Sequence, residues 1–252
     1  SGRVGCEPVE FESRPSLERL RRRRDCEDVP MDVRACAAIR AQRLPEQRVR
    51  GVTPLAILLL AFVVFQIVIR VWLRLRPQAI PFGWSWLLEN PWRKSYRDPE
   101  RVAEQCGIRP TDTVLEIGCG SGLFTRSLAT RCAKLIAHDI EPRYVAQTKA
   151  KLSDLGSIEY LVGDVRDLGL DSVADVIVLI SVLPEVPEPL LALEACKRAL
   201  KPGGRIVIGE ELFEPEYVTS RQIDAYARAV GLEVVGREGN AWAYLHTFAL
   251  KS

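Results

Sequence analysis

The chain has 252 residues, 47% of them hydrophobic, with 35 basic and 33 acidic side chains for a net charge of +2. That length gives one or two domains, and the near balance of charge, with no basic stripe in the C-terminal part, disfavours nucleic acid as a partner. Seven cysteines without a C-x-x-C spacing and only two histidines, His138 and His246, argue against a disulfide framework or a metal site; reduced thiols facing the cytosol are the simpler reading.

Charge is uneven along the chain. Residues 1–94 carry 17 basic and 10 acidic side chains, a net +7, and residues 95–252 carry 18 and 23, a net −5. Residues 1–51 hold twelve arginines, including Arg21 to Arg24, nine acids and little apolar periodicity, so a disordered Arg-rich segment is expected. A basic arm for anionic lipid or nucleic acid is disfavoured because the acids are interleaved. A further reading takes residues 1–51 as lying outside the natural coding sequence, with translation starting near Val52; the absence of lysine before Lys94 and the lone Met31 motivate it.

Val52 to Ile69 runs without a charge, interrupted only by Thr53, Pro54 and Gln66. With Val71 to Leu73 beyond Arg70 the run reaches the length of a hydrocarbon core, and a transmembrane helix is expected over 52–75. Pro54 suits its first turn. Arg70, Trp72, Arg74 and Arg76 border it as cations and aromatics do at a membrane interface. They favour a single-pass topology with the C-terminal part in the cytoplasm; the twelve arginines before the run argue the reverse unless 1–51 is extra sequence. Residues 76–97 form a linker with Trp84, Trp86 and Trp92. It reads equally as a segment lying on the bilayer or as one packed on the following domain.

From Asp98 to Ser252 short apolar runs alternate with helical patterns. Helices are expected over 99–106, 123–131, 142–152, 189–200 and 220–230, and strands over 113–117, 134–138, 158–162, 176–180, 205–209, 232–237 and 242–250. Lys201-Pro202-Gly203-Gly204 reads as a stop and turn, and Gly239-Asn240 as a hairpin turn. Such alternation gives an α/β, Rossmann-like, mostly parallel sheet with helices on both faces.

Val114-Leu115-Glu116-Ile117-Gly118-Cys119-Gly120-Ser121-Gly122 runs from a strand into a glycine loop ahead of a helix. Glycines there let the backbone turn and approach a ligand. A dinucleotide fingerprint wants its third glycine or alanine where Leu123 stands. Glu116, just before the loop, would repel a pyrophosphate and suits a ligand with an ammonium group. Asp139 ends the second strand, 19 residues after Gly120, where an acid can accept from ribose hydroxyls. Asp164 follows the third strand, where a carboxylate can take a bond from an exocyclic amine. Ser181 ends the fourth. Taken singly, each aspartate could be only a cap or a turn residue.

The stretch from about Asp98 to Leu250 resembles class I S-adenosylmethionine-dependent methyltransferases of the type 11 kind. The glycine loop resembles their first motif, His138-Asp139-Ile140-Glu141-Pro142 their second-strand acid motif, and Arg198-Ala199-Leu200-Lys201-Pro202-Gly203-Gly204-Arg205 the lead-in to their fifth strand. The resemblance implies seven strands with a terminal antiparallel hairpin and S-adenosylmethionine as cofactor. It places Glu116, Gly118, Gly120 and Gly122 at the methionine part, Asp139 and Ile140 at the ribose, and Asp164 and Val165 at the adenine; Cys119 in the loop and Ser181, on the sulfonium side by its strand-end position, complete the expected cofactor-binding set. Where many members carry a histidine after the fourth strand, this chain has Leu183-Pro184-Glu185, so no catalytic residue is assigned. Tyr96, Glu185, Glu210 and Tyr244 are candidate bases by position, with capping and packing as the competing roles, and Arg93 and Tyr96 could close over the cofactor. The expected protein is a membrane-anchored methyltransferase acting on a small, lipid-like or quinone-like acceptor. The rival is a non-catalytic S-adenosylmethionine-binding or membrane-tethered scaffold module.

Overall fold

The structure, a computed structural model, describes residues 53–75, 82, 91–212, 214, 216–240 and 242–251. The expected disorder over 1–51 and the bilayer-surface reading of Trp84 and Trp86 fall on residues outside these, as does most of the linker 76–90.

Helix α1 covers Pro54–Leu75, 22 residues. Its apolar side chains lie open, Leu60 at 63% and Phe65 at 59% exposure. The stretch Pro54–Trp72 is long and apolar enough to cross a membrane by length and composition. Two short helices follow, α2 (Pro91–Tyr96) and α3 (Pro99–Gln105). Asp98 caps α3, its carboxylate accepting from the Glu100 amide at 3.0 Å, and Pro99 fills the first turn, where its missing N–H costs nothing.

The rest is an α/β sheet. Its strands are β1 (Thr113–Ile117), β2 (Lys134–Asp139), β3 (Ile158–Val162), β4 (Ala174–Ile180), β5 (Leu200–Glu211), β6 (Leu232–Gly239) and β7 (Ala243–Leu250). Between them lie α4 (Thr125–Ala129), α5 (Pro142–Lys151), α6 (Pro189–Ala199) and α7 (Ser220–Ala229). The order is β3-β2-β1-β4-β5-β7-β6. The first five strands run parallel, and β7 is antiparallel to both β5 and β6. This is the seven-stranded sheet with an antiparallel hairpin that the sequence resemblance implied.

Side-chain alternation divides the core. Leu115, Ile177, Leu179, Ile206 and Ile208 pack on one face with Leu193 of α6 and Ile223 of α7. Val114, Val176, Val178 and Val207 pack on the other with Val102 of α3 and Leu128 of α4. Because both faces are covered, the central strands read as unbroken apolar runs. The order reverses between β1 and β4, and the crevice at such a switch point is where ligands of open α/β sheets bind.

Several details differ from expectation, three of them at the sheet's ligand edge or the strand beside it. Helix α4 starts at Thr125 rather than Leu123, because Gly120 and Gly122 hold φ of 51° and 84° and the Gly122 amide bonds back to the Cys119 carbonyl at 2.9 Å. Strand β5 starts at Leu200, not Arg205; Lys201–Gly204 is absorbed as an irregularity, pairing stepping from Ala174↔Leu200 to Val176↔Arg205. Finally, Val165–Asp167 and Leu183–Glu185 form short 3₁₀ turns at the sheet's ligand edge.

Candidate cofactor and acceptor site

A cavity of about 370 Å³ opens at the switch point, within the size range of small-molecule sites. Gly118, Cys119 and Gly120 form one side, Asp139 and Ile140 from the end of β2 and Asp164 and Val165 after β3 form another, and Ser181 after β4 faces them. The structure thus brings eight of the ten residues singled out from the sequence to one wall.

The glycine loop is held by hydrogen bonds from both sides. The Gly118 and Cys119 amides donate to the His138 carbonyl at 2.8 and 2.9 Å. The Gly120 amide donates to Asp139 Oδ2 at 2.8 Å, and the Thr148 hydroxyl donates to the Gly120 carbonyl at 2.8 Å. Gly118 sits at φ 72°, and a Cβ there would run into the Val182 side chain. Only glycine satisfies both conditions.

Glu116 and Gly122 do not reach the wall. Glu116 lies on β1 behind the loop, 4% exposed. Burial pushes its carboxyl up to about 8, against the Thr125 hydroxyl beside it and with the Asp139 charge adding to the rise. One of its oxygens, Oε2, is buried without a hydrogen-bond partner. Glu116, expected from its place in the sequence to meet a ligand ammonium, is thus not among the residues that line the cavity. Gly122 faces α5, where an added Cβ would press on Thr148 at 3.1 Å.

Asp139 is both cap and wall. Its Oδ1 accepts from the Glu141 amide at 2.9 Å and its Oδ2 from Gly120, with burial raising its pKa against those amides. Each carboxylate oxygen keeps a second lone pair for a ligand hydroxyl. Asp164 is tied to Arg166, whose Nη2 lies 2.6 Å from Oδ2, and this partner holds its carboxyl below the ordinary range. Arg166 in turn reaches Glu188 at 2.6 Å. Ile140 is 52% exposed, an apolar side chain offered to the cavity. Ser181 stands at φ 55°, and its hydroxyl is buried without a partner. Cys119 has its thiol pushed up by burial, which keeps it neutral.

The candidate bases separate. Glu185 and Arg93 line the cavity. Tyr96, Glu210 and Tyr244 do not. The Tyr96 hydroxyl donates to Glu211 Oε2 at 2.9 Å, and that of Tyr244 to the Val218 carbonyl at 2.7 Å. Glu210, opposite Tyr244 in the β5–β7 register, is fully buried with neither oxygen partnered. Burial, then Glu214, Glu211 and Glu185, hold it protonated well above the usual range.

A polar cluster lies beside the cavity at Arg93. Arg93 Nε is 3.2 Å from Glu211 Oε2 and its Nη2 3.2 Å from Glu214, while Arg97 Nε is 3.5 Å from Glu211 Oε1. Glu214 lines the cavity beside Arg93. The pre-domain segment also contributes Phe82, whose ring lies 5.2 Å from that of Tyr144, another lining residue, with the Arg143 guanidinium 5.0 Å above it.

Sequence reading missed His138, Tyr144, Arg166 and Glu214 on the wall. His138 had a signal, its place one residue before the strand-end acid. Its ring lines the cavity with both nitrogens unpartnered, and burial depresses it to about 4, so it is neutral. Arg166 could have been read as a partner two residues beyond Asp164. Glu214 carried no signal, because only the fold returns it beside Arg93. Among the described residues no group of acids, histidines and cysteines could hold a metal ion.

The fit to an adenosine carrying an amino-acid tail rests on four features: the Gly118 cradle, the orphaned Ser181 hydroxyl, the strand-end carboxylates and the apolar Ile140. Residues 115–208 match the family model described as a methyltransferase domain. The chain is 30% identical over 133 residues to nodulation protein S of Sinorhizobium fredii, covering 49% of this chain and 62% of that protein. It is 34% identical over 130 residues to the ubiquinone biosynthesis O-methyltransferase of Xanthomonas oryzae, covering 49% and 50%. It thus spans about half to three-fifths of these curated relatives. A solved S-adenosylmethionine-dependent methyltransferase from Aquifex aeolicus shares the fold at a TM-score of 0.62 and 23% identity, over 68% of this chain and 98% of that one. The family match and the shared fold together support a class I, S-adenosylmethionine-dependent methyltransferase domain in this chain.

Proposed function

We propose that the chain is a single-pass membrane methyltransferase that methylates a small, membrane-partitioned acceptor, lipid-like or quinone-like, with its domain over 98–252 on the cytoplasmic side. The observation that carries this reading is the make-up of the cavity wall. The glycine loop and the strand-end acids line the cavity together with Arg93, from the segment after the apolar helix, and Glu214, whose backbone carbonyl bonds Arg70 of that helix. Bound S-adenosylmethionine would supply a methyl group already activated on a sulfonium.

This chain's residues would do the rest. Gly118 and Gly120 let the backbone close on the cofactor's tail, with the Ser181 hydroxyl available to its polar end. Asp139 would accept from the ribose and Asp164, fixed by Arg166, from the adenine amine, with Ile140 and Val165 against the ring faces. Holding acceptor and methyl in line supplies much of the acceleration, and Phe82 over Tyr144 with Arg93 at the rim would keep water out. Glu185 is the candidate base on the wall. The ubiquinone-biosynthesis relative supports a quinone-like acceptor, and the arginines after the uncharged run support the orientation.

Calorimetry on the full chain in detergent should show micromolar binding of S-adenosylhomocysteine, about −8 kcal/mol. Tighter binding of NAD would overturn the cofactor assignment. Mass spectrometry of a membrane extract incubated with isotope-labelled S-adenosylmethionine should show label in an extractable small molecule. Cofactor binding without any labelled product would favour the non-catalytic module.

A further inference from the structure

The apolar helix and the cavity meet at one short piece of chain. Arg70 is the first charge after the uncharged run of α1. Its Nη1 donates to the Glu214 carbonyl at 3.2 Å and its Nη2 to the Leu212 carbonyl at 3.1 Å. Both carbonyls belong to the segment leaving β5, and that segment builds the acceptor end of the cavity. Glu214 lines it, and Glu211 and Glu214 hold Arg93 there. From the other side the Leu212 amide donates to the Trp242 carbonyl at 2.7 Å. The Trp242 indole is 58% exposed.

An arginine ending a spanning helix ordinarily extends its charge among lipid headgroups. Here the guanidinium fork takes two backbone carbonyls of the cavity wall instead, a geometry its paired donors suit and a lysine ammonium cannot reproduce in full. The segment is thereby kept within one side chain's reach of the helix end, and Trp242, a residue type that favours the headgroup level, hangs from the same backbone.

We propose that Arg70 is a positioning residue: through the Leu212 and Glu214 carbonyls it fixes the acceptor-side wall at the headgroup level of the bilayer. The acceptor it suits is an amphiphile whose reacting group lies at headgroup depth while its tail stays in hydrocarbon. Naming this wall as the acceptor's rests on the methyltransferase reading and its depth on the spanning reading of α1; the contact rests on neither.

The test uses the full chain in vesicles of phosphatidylcholine and phosphatidylglycerol. Hydrogen–deuterium exchange should quicken by about tenfold or more over residues 211–217 in Arg70→Ala, the scale of losing bonds from a charged donor. Peptides over 134–139 should stay unchanged and Arg70→Lys should fall between. Brominated phosphatidylcholine should quench the fluorescence component lost in Trp242→Phe, and should quench it less in the Arg70→Ala background. Affinity for S-adenosylhomocysteine should stay within about twofold in Arg70→Ala, since the cofactor end is untouched. Equal exchange over 211–217 in wild type and Arg70→Ala would overturn the proposal. So would a uniform rise reaching 134–139, or a Trp242 component that bromine does not touch in the wild type. Failure of the wild type to bind S-adenosylhomocysteine would instead count against the methyltransferase reading and leave the exchange result standing.

Discussion

Asp139 holds the loop with both carboxylate oxygens and, on the proposed reading, meets the ligand with the same two. It fixes Gly120 and Glu141 by their amides, and its spare lone pairs face the cavity. Asp139→Ala should therefore weaken S-adenosylhomocysteine binding by about 1.5–3 kcal/mol, the scale of a bond to a charged group, measured by calorimetry. Unchanged affinity would mark it as a cap alone. Glu116 makes a prediction about pH. Its carboxyl is raised by burial from 4.5 to about 8, so the folded state holds a proton that the unfolded chain releases. Its stabilising contribution is complete below pH 4.5 and is lost as pH rises through about 8. The urea midpoint of the wild type should fall across that window, and Glu116→Gln should flatten the fall. An identical slope in the variant would show that Glu116 ionises freely in the folded state.

At the scale of elements, the turn from β1 to α4 carries the most constraint per residue. Gly118 combines a positive φ with a close Val182 side chain. Gly118→Ala should cost at least about 1–2 kcal/mol for the left-handed backbone alone, and the displaced Val182 should narrow the cavity and abolish cofactor binding. Gly156, with nothing within 4 Å of an added Cβ, is the control. Gly156→Ala should shift stability by no more than about 0.5 kcal/mol. Denaturation midpoints and calorimetry on both variants decide the point, and equal behaviour would deny the loop its special geometry. The late start of α4 and the early start of β5 have one cause: sequence periodicity does not see the hydrogen bonds that hold Gly120–Gly122 as a turn or that draw Leu200 into pairing with Ala174.

For the whole molecule, the exposed apolar helix is the feature that needs an apolar surrounding, because its large apolar side chains lie exposed. A helix of this length and composition satisfies its own backbone and so suits a bilayer. The full chain should resist carbonate extraction from membranes, and a chain beginning at Asp98 should be released by it. That shorter chain should also lose activity on the membrane acceptor more than affinity for S-adenosylhomocysteine, since it lacks Arg93, which lines the cavity beside Glu214. Extraction of the full chain by carbonate would argue for a packed rather than a spanning helix. Protection of the domain from protease in inside-out vesicles would reverse the orientation.

The order and type of the sheet's elements were legible in the chain itself. Alternating β and α periods, the apolar run at 114–117 broken only by Glu116, the unbroken one at 176–180, and glycines after the first of them follow from local chemistry and from burial on both faces. The strand-end positions of Asp139, Asp164 and Ser181 followed too, because a strand's end is marked by where its apolar run stops. The direction in which a side chain points at that end was settled only by tertiary packing. Glu116 stays off the cavity lining, and Asp164 gains Arg166 while Tyr96 and Tyr244 spend their hydroxyls on Glu211 and the Val218 carbonyl. Long-range contacts with no local signature, Arg70 to the segment after β5 and Arg93 to Glu211 and Glu214, span more than a hundred residues of chain. Such pairs exist only once the sheet has brought the end of β5 and the entering segment to the same edge.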